Sequence, residues 1–314
     1  MLQQHIHRAE VRHAYLFSGA PGIGRRTLAL RFAQALNCIE PPQPGAYCGV
    51  CRVCKQTASL QHADVCLVEK QADKKDIVIE QVRELQRMLS LTPYEARYRI
   101  AILRDFENAN HNAQNALLKT LEEAPPKVIL LLTACAVENL LPTIVSRCEI
   151  LRLHPMPLEE LKRVLQRDSR LSADMVSKIA HLAGGRLGYA QRMIGDSSVY
   201  ETHASWIEDL LTLLSRTRRE RFAYVKNQFK KRERETVREA FGAWLSFWRD
   251  VLLAASGARV PLVNVAWEER IRHLAAELPL TECYRRVAAL EQGIARLDTT
   301  NINAQLLAEI LLMD

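Results

Sequence analysis

The chain has 314 residues, 25% charged and 48% apolar, with a net charge of +7 from 43 Lys and Arg against 36 Asp and Glu. That is the make-up of an ordinary folded protein with room for two or three domains and sizeable cores. The longest apolar run, Val128–Leu132 and onward to Val137, is about half of the ~20 residues a membrane span needs, and Met1–His5 lacks a basic-then-apolar leader, so a cytoplasmic protein with no membrane partner is expected.

In chain order, a strand-like run at His13–Ser18 leads into Gly19-Ala20-Pro21-Gly22-Ile23-Gly24-Arg25-Arg26-Thr27, and a helical pattern follows from Leu28 to Leu36. Glycines at Gly19, Gly22 and Gly24 are what a phosphate loop needs, because successive backbone N–H groups must curl around an anion at a helix N-terminus. Such a loop then requires Lys for the β/γ-phosphates and Ser or Thr for Mg²⁺. Here Arg25 stands in place of the lysine, Arg26 takes the first hydroxyl position, and Thr27 comes one residue late. The loop predicts the architecture of a nucleotide-binding site whose cofactor is doubtful. Arg25 retains the two-donor fork for a weak phosphate contact.

Four of the eight cysteines cluster next, at Cys38, Cys48, Cys51 and Cys54. With no secretion signal, disulfides are not expected and a structural zinc is the simplest explanation. Four thiolates close a tetrahedral site and leave no position open for catalysis. The alternatives are unrelated buried cysteines or a DNA-reading finger, and no helix with base-reading polar residues follows Cys54. Cys66, Cys135, Cys148 and Cys283 are scattered and read as core thiols.

Further apolar runs at Ala63–Glu69, Arg97–Leu103, Val128–Ala134 and Glu149–Leu153 predict buried parallel strands. Between them Val78, Val82, Leu85 and Leu89 mark one helix, and Asn110–Glu123 a second that Pro125-Pro126 ends. After Pro155 strands stop. Short helices are expected around Leu158–Leu165, Met175–Leu182 and Arg186–Ile194, then longer ones over Tyr200–Arg216, Arg218–Phe229, Glu233–Ala255, Val265–Leu278, Leu280–Leu297 and Asn303–Met313. The expected division is an α/β domain over 1–153 with the cysteine module at 38–54, a three-helix lid over 154–197, and an all-helical domain over 198–314. Arg216–Glu239 carries ten basic and four acidic residues. It reads either as a wet helical face with interspersed acids or as an electrostatic footprint for nucleic acid.

This layout resembles the AAA+ clamp-loader family over essentially the whole chain. The resemblance rests on Gly19–Thr27, the four-cysteine insertion after the first helix, Asn115-Ala116-Leu117-Leu118-Lys119-Thr120-Leu121-Glu122-Glu123, and Pro142-Thr143-Ile144-Val145-Ser146-Arg147-Cys148. It implies a RecA-like parallel sheet domain, a helical lid and a helical C-terminal collar. The zinc insertion is typical of the γ/τ and δ′ branches of bacterial DNA polymerase III, and Leu297-Asp298-Thr299-Thr300-Asn301-Ile302-Asn303 resembles the δ′ ending.

The departures from the family pattern separate the two branches. Alignment through Asn115–Glu123 puts Arg104 where an active ATPase has its metal-organising Asp, and Asp105 where it has its water-positioning Glu. The lid's sensor arginine falls at Gly188. An arginine repels Mg²⁺ and cannot act as a base. The resemblance therefore implies the non-hydrolysing δ′ stator, with no intrinsic ATPase although it is a subunit of a DNA-directed DNA polymerase. Its implied partners are the γ/τ and δ subunits, and indirectly the sliding clamp and primed DNA. Arg147 is implied as an arginine finger acting in trans on a neighbouring ATP site. Taken alone, it would read as a surface arginine favoured by a helix C-terminus. The competing expectations are an active γ/τ-like motor and a free-standing DNA-binding zinc protein.

Overall fold

Five short apolar runs lie side by side in the first of the two units into which the chain divides, Met1–Pro155; the second is Met156–Asp314. The computed structural model describes residues 1–71, 74–229 and 234–313. In the first unit the order is α1 (Leu2–His7), β1 (Ala14–Ser18), α2 (Arg25–Asn37), α3 (Arg52–Ala58), β2 (Val65–Val68), α4 (Ile79–Leu89), β3 (Arg99–Leu103), α5 (His111–Glu122), β4 (Val128–Ala134), α6 (Pro142–Val145) and β5 (Glu149–Arg152). All five expected strands are present, each within two residues of the expected bounds.

Every strand pair is parallel and the order across the sheet is β2-β3-β4-β1-β5. The physical reason is burial on both faces: β1, β3 and β4 are buried at every residue, which suits a sheet covered by helices on each side. Alternate residues split between two cores. Tyr15, Phe17, Ile100, Ile102, Ile129 and Leu131 pack with Ala29, Phe32 and Leu36 of α2. Leu16, Leu103, Leu130 and Leu132 pack instead with Val82, Leu85 and Leu89 of α4 and with Leu117 and Leu121 of α5. Asn110 starts α5 by accepting from the Ala113 N–H at 2.9 Å. The sheet thus brings the C-terminal ends of β1, β4 and β3 together, the edge at which open α/β sheets place their ligands.

Asp64, just before β2, is fully buried. It accepts the backbone N–H groups of Tyr94 at 2.7 Å, Glu95 at 2.9 Å and Ala96 at 2.9 Å, and Nη2 of Arg99 at 3.0 Å. Burial alone would raise its pKa, but these four donors outweigh burial and hold it at about 2. The loop from α4 to β3 is pinned there, with Leu91 and Tyr94 left exposed.

The second unit is helical: α7 (Leu158–Leu165), α8 (Ala173–Ala183), α9 (Leu187–Gly195), α10 (Ser197–Leu214), α11 (Arg218–Gln228), α12 (Arg234–Ala255), α13 (Glu268–Glu277), α14 (Leu280–Thr299) and α15 (Ala304–Met313). The expected helix start at Glu233 lies outside the described residues. One apolar cluster joins α7, α8 and α9 through Leu161, Ile179 and Met193. A larger one joins α10 to α15 around Trp206, Trp244, Phe247 and Leu290. Arg238 pairs with Asp298 at 2.7 Å, and Arg234 donates to the Leu297, Thr300 and Ile302 carbonyls. Those contacts fix the turn from α14 into α15. Among the described residues no helix is long and apolar enough to cross a membrane.

Candidate functional site

The loop after β1 adopts the form its glycines predict. Gly19, Gly22 and Gly24 stand at φ of 155°, 80° and 112°. A Cβ on Gly19 would lie 2.8 Å from the Leu153 carbonyl oxygen, so no larger residue fits where the loop passes the end of β5. Arg25 is the first residue of α2, whose N-terminus no side chain caps. An uncapped helix N-terminus favours anions, and the neighbouring side chains decide whether one can be held.

Those side chains oppose it. Arg25 is only 8% exposed. Its Nη2 donates to Asp105 Oδ1 at 2.8 Å, and its Nη1 lies 3.8 Å from Glu107 Oε1. Arg104 donates to Glu69 Oε2 at 2.8 Å and stands 3.4 Å from Asp105 Oδ2. Two guanidiniums therefore face three carboxylates across the ends of β1, β4, β3 and β2. Asp105 reaches this position because it takes a left-handed backbone, φ 47°, with its N–H bonded to Thr133 Oγ1 at 2.7 Å. Glu107 is fixed from the other side by the Cys135 N–H at 2.8 Å. Arg26 and Thr27 point to solvent. Through that N–H bond Cys135 borders this cluster and not an apolar core, and burial, then the adjacent Glu107, push its thiol up.

In the second unit Gly188 occupies the first turn of α9, as the sequence places it. The neighbouring Arg186 is turned inward, donating Nε to the Ala183 carbonyl at 2.8 Å and lying over the Tyr189 ring at 4.6 Å. It caps the end of α8.

Cys38, Cys48, Cys51 and Cys54 converge, with all four sulfurs within 4.8 Å of one another. Backbone N–H groups point at three of them: Cys48 to Cys38 at 3.3 Å, Cys51 to Cys48 at 3.3 Å and Cys54 to Cys51 at 3.4 Å. The Cys51 and Val50 N–H groups lower the Cys48 thiol to about 6, whereas burial raises Cys54 to about 12 and also lifts Cys38. A donor set of this kind is capable of holding a soft metal ion, which displaces the protons of the buried thiols. Gln34 of α2 anchors the module by donating to the Cys54 carbonyl at 2.7 Å.

Arg147 follows the short α6. Its Nη1 donates to the Thr143 carbonyl at 3.0 Å and its Nη2 to Glu122 Oε1 at 2.7 Å, with 35% of the side chain exposed. Cys148 next to it is raised to about 12 by burial. The sequence offered no local signal for Glu107, Glu122 or Asp64 as partners of arginines, since each pair is joined only through the sheet.

A family model described as "DNA polymerase III, delta subunit" matches residues 1–157. The chain is 37% identical over 212 residues to DNA polymerase III subunit delta′ of Pseudomonas aeruginosa, covering 66% of this chain and 63% of that protein. With the delta′ subunit of Bacillus subtilis identity is 28% over 322 residues, covering all of this chain and 93% of that one. The tau subunit of Escherichia coli is 31% identical over 156 residues, which is half of this chain and 24% of tau. Together with the parallel sheet and the four-cysteine insertion, these similarities place the chain in the delta′ subunit family of bacterial DNA polymerase III, within the AAA+ clamp loaders.

Proposed function

We propose that the chain is the non-hydrolysing stator of a clamp loader, supplying Arg147 in trans to an ATP site on a neighbouring γ/τ subunit. The observation that carries this reading is the charge cluster at the phosphate loop. Arg25, in place of the lysine that would reach a phosphate, is buried against Asp105 and Glu107. Arg104 occupies the place of the metal-organising acid and is paired with Glu69. Phosphoryl transfer depends on positioned charge, and here carboxylates outnumber guanidiniums where the triphosphate would sit. These residues do not fit a Mg²⁺-bound nucleotide, so no catalytic step is assigned to this loop.

Arg147 supports the second half of the proposal. A finger supplied in trans contributes about 10³–10⁵ in rate by neutralising charge on the transferring phosphoryl. The ion pair with Glu122 is exposed, and such pairs are worth about 0–1 kcal/mol, so the guanidinium is readily released to a better anion. Zinc fits the cysteine module: sulfurs about 2.3 Å from a tetrahedral zinc lie about 3.8 Å apart, and the Cys48 and Cys54 sulfurs are 3.9 Å apart. The metal would stabilise the segment between α2 and α3 without taking part in catalysis.

Residues 154–197 serve as the lid and 198–314 as the collar through which the chain docks with γ/τ and δ. Exposed Leu280 and Tyr284 on α14, and Leu306 and Ile310 on α15, each a helical turn apart, suit such docking. Closure of the assembly on ATP then opens the sliding clamp for loading onto primed DNA in the cytoplasm.

The test has two arms. The purified chain should turn over ATP at well below ~1 s⁻¹, the low end of ordinary enzymes, and Arg25→Lys should not create activity while Arg104 remains. Turnover above that rate would assign a γ/τ-like motor instead. In the assembled complex, Arg147→Ala should leave assembly intact but partly reduce clamp- and DNA-stimulated ATPase, because one of several sites loses its finger. Arg147→Lys should rescue poorly, lacking the planar fork. An alanine variant that loads clamps at the wild-type rate would refute the trans-acting role.

A further inference from the structure

Between Arg216 and Arg232 the sequence holds eight basic residues and one acid, a local +7 as large as the charge of the whole chain. Residues 230–232 of that run lie outside the described residues; α11 carries much of the rest. Several surface cations elsewhere in the second unit are matched by acids. Arg272 pairs with Glu268 at 2.6 Å, Arg285 and Arg286 both pair with Glu282, and Arg238 pairs with Asp298. A solvated helical face normally carries such interleaved charges.

The outer face of α11 does not. Its one acid, Glu220, is consumed at the helix start, accepting from the Thr217 N–H at 2.9 Å, the Thr217 hydroxyl at 2.8 Å and Arg216 at 2.8 Å. Arg221 is turned inward onto the Leu213, Leu214 and Leu312 carbonyls. Arg218, Arg219 and Lys226 remain exposed and form no ion pair with a described residue. Arg218 and Arg219 are moreover the first two residues of α11, at the end of the helix dipole that disfavours cations. A local rule broken with no compensating contact points to a role outside the fold.

Among these cations stands Phe222, 47% exposed. It lies four residues after Arg218, three after Arg219 and four before Lys226, so all four side chains share one face, with steps of about 6 Å along the helix from 218 to 222 to 226. An aromatic ring between cations is the arrangement that holds a flexible polyanion carrying stackable rings. An acidic polypeptide would use the charges and leave the exposed phenyl ring unused.

We propose that the outer face of α11 binds single-stranded nucleic acid, with Arg218, Arg219 and Lys226 neutralising phosphates while Phe222 stacks on a base. This surface does not depend on the clamp-loading assignment or on any nucleotide at the phosphate loop.

The test is fluorescence anisotropy of a labelled oligothymidylate titrated with the purified full chain across a range of salt. Each neutralised phosphate of a single strand contributes about 0.7 to the slope of log affinity against log salt. Arg218→Ala/Arg219→Ala should therefore flatten the slope by about 1.4, and Lys226→Gln by about 0.7. Phe222→Ala should weaken binding roughly 5- to 150-fold with the slope unchanged, the loss of one stacked base, and Phe222→Trp should restore it. All four positions are exposed, and circular dichroism should show unchanged helix content. No binding at low salt, or binding that these substitutions leave unaltered, overturns the proposal. So does polyglutamate competing as well as oligothymidylate while Phe222→Ala has no effect, which would mark α11 as a surface for acidic polypeptides.

Discussion

Replacing Asp64 with asparagine should destabilise the sheet unit far more than its position in a short connecting segment suggests. A carboxyl held at about 2 instead of 3.8 is favoured as the anion over the acid by about 2.5 kcal/mol. Asparagine presents one acceptor and two donors to a pocket that contains four donors, and it strands Arg99, which is 8% exposed, without a counter-charge. Breaking a buried pair from one side costs about 3–5 kcal/mol. For a unit of this size each kcal/mol moves the midpoint by about 2–4 °C, so Asp64→Asn should lower the first unit's transition by roughly 6–20 °C. Calorimetry reads that transition, and hydrogen exchange at the Tyr94, Glu95 and Ala96 amides reads the local opening. The acid limb provides an independent check. The pKa is depressed in the folded state, so its stabilisation is fully present above about pH 4 and is lost as pH falls through about 2. That loss should vanish in the asparagine variant. A midpoint within ~2 °C of the parent, with amide exchange unchanged, would refute the account of this pocket.

Metal analysis of protein expressed with ample zinc should find one Zn²⁺ per chain, and Cys51→Ser should release it; unchanged metal content in that variant would remove Cys51 from the ligand set. Loss of metal should loosen the segment from Cys38 to Ala58 without touching the charge cluster at Arg25, a difference that limited proteolysis can locate. Glu122→Gln should leave stimulated ATPase of the assembly close to the parent value, and clearly above that of Arg147→Ala, since an exposed pair is worth only about 0–1 kcal/mol. A fall as large as that of Arg147→Ala would show that Glu122 positions Arg147 and does not merely park it.

What the sequence reveals depends on how local each feature is. Strands β1, β3 and β4 are legible because a sheet covered on both faces is written as continuous apolar runs. The cysteine module is legible because its four thiols lie within seventeen consecutive residues, Cys38 to Cys54. The substitutions at Arg25, Arg104 and Gly188 are also visible as departures from a pattern. What they touch is not. Glu107 meets Arg25 only because Asp105 bends the chain after β3 through a left-handed turn, and β4 sets the distance to β1. Asp64 is a lone acid before an apolar strand and carries no periodicity, so its four donors appear only once the loop at 94–96 is folded over it. Cys135 reads as a core thiol in one dimension and proves to border the charge cluster in three.

The ion pairs around Arg25 also constrain what mutation can do to this chain. Arg104→Asp, made first, would set a fourth carboxylate beside Glu69, Asp105 and Glu107, with a single guanidinium left to neutralise them. Arg25→Lys, made first, would trade a two-donor fork for a point charge against Asp105. Neither change supplies an arginine at 188. Either of these two steps therefore loses packing or charge balance before it gains any chemistry, and every order of single steps that includes both passes through a destabilised intermediate. The present arrangement is held by mutual dependence among its residues, so in laboratory evolution it should behave as a one-way door.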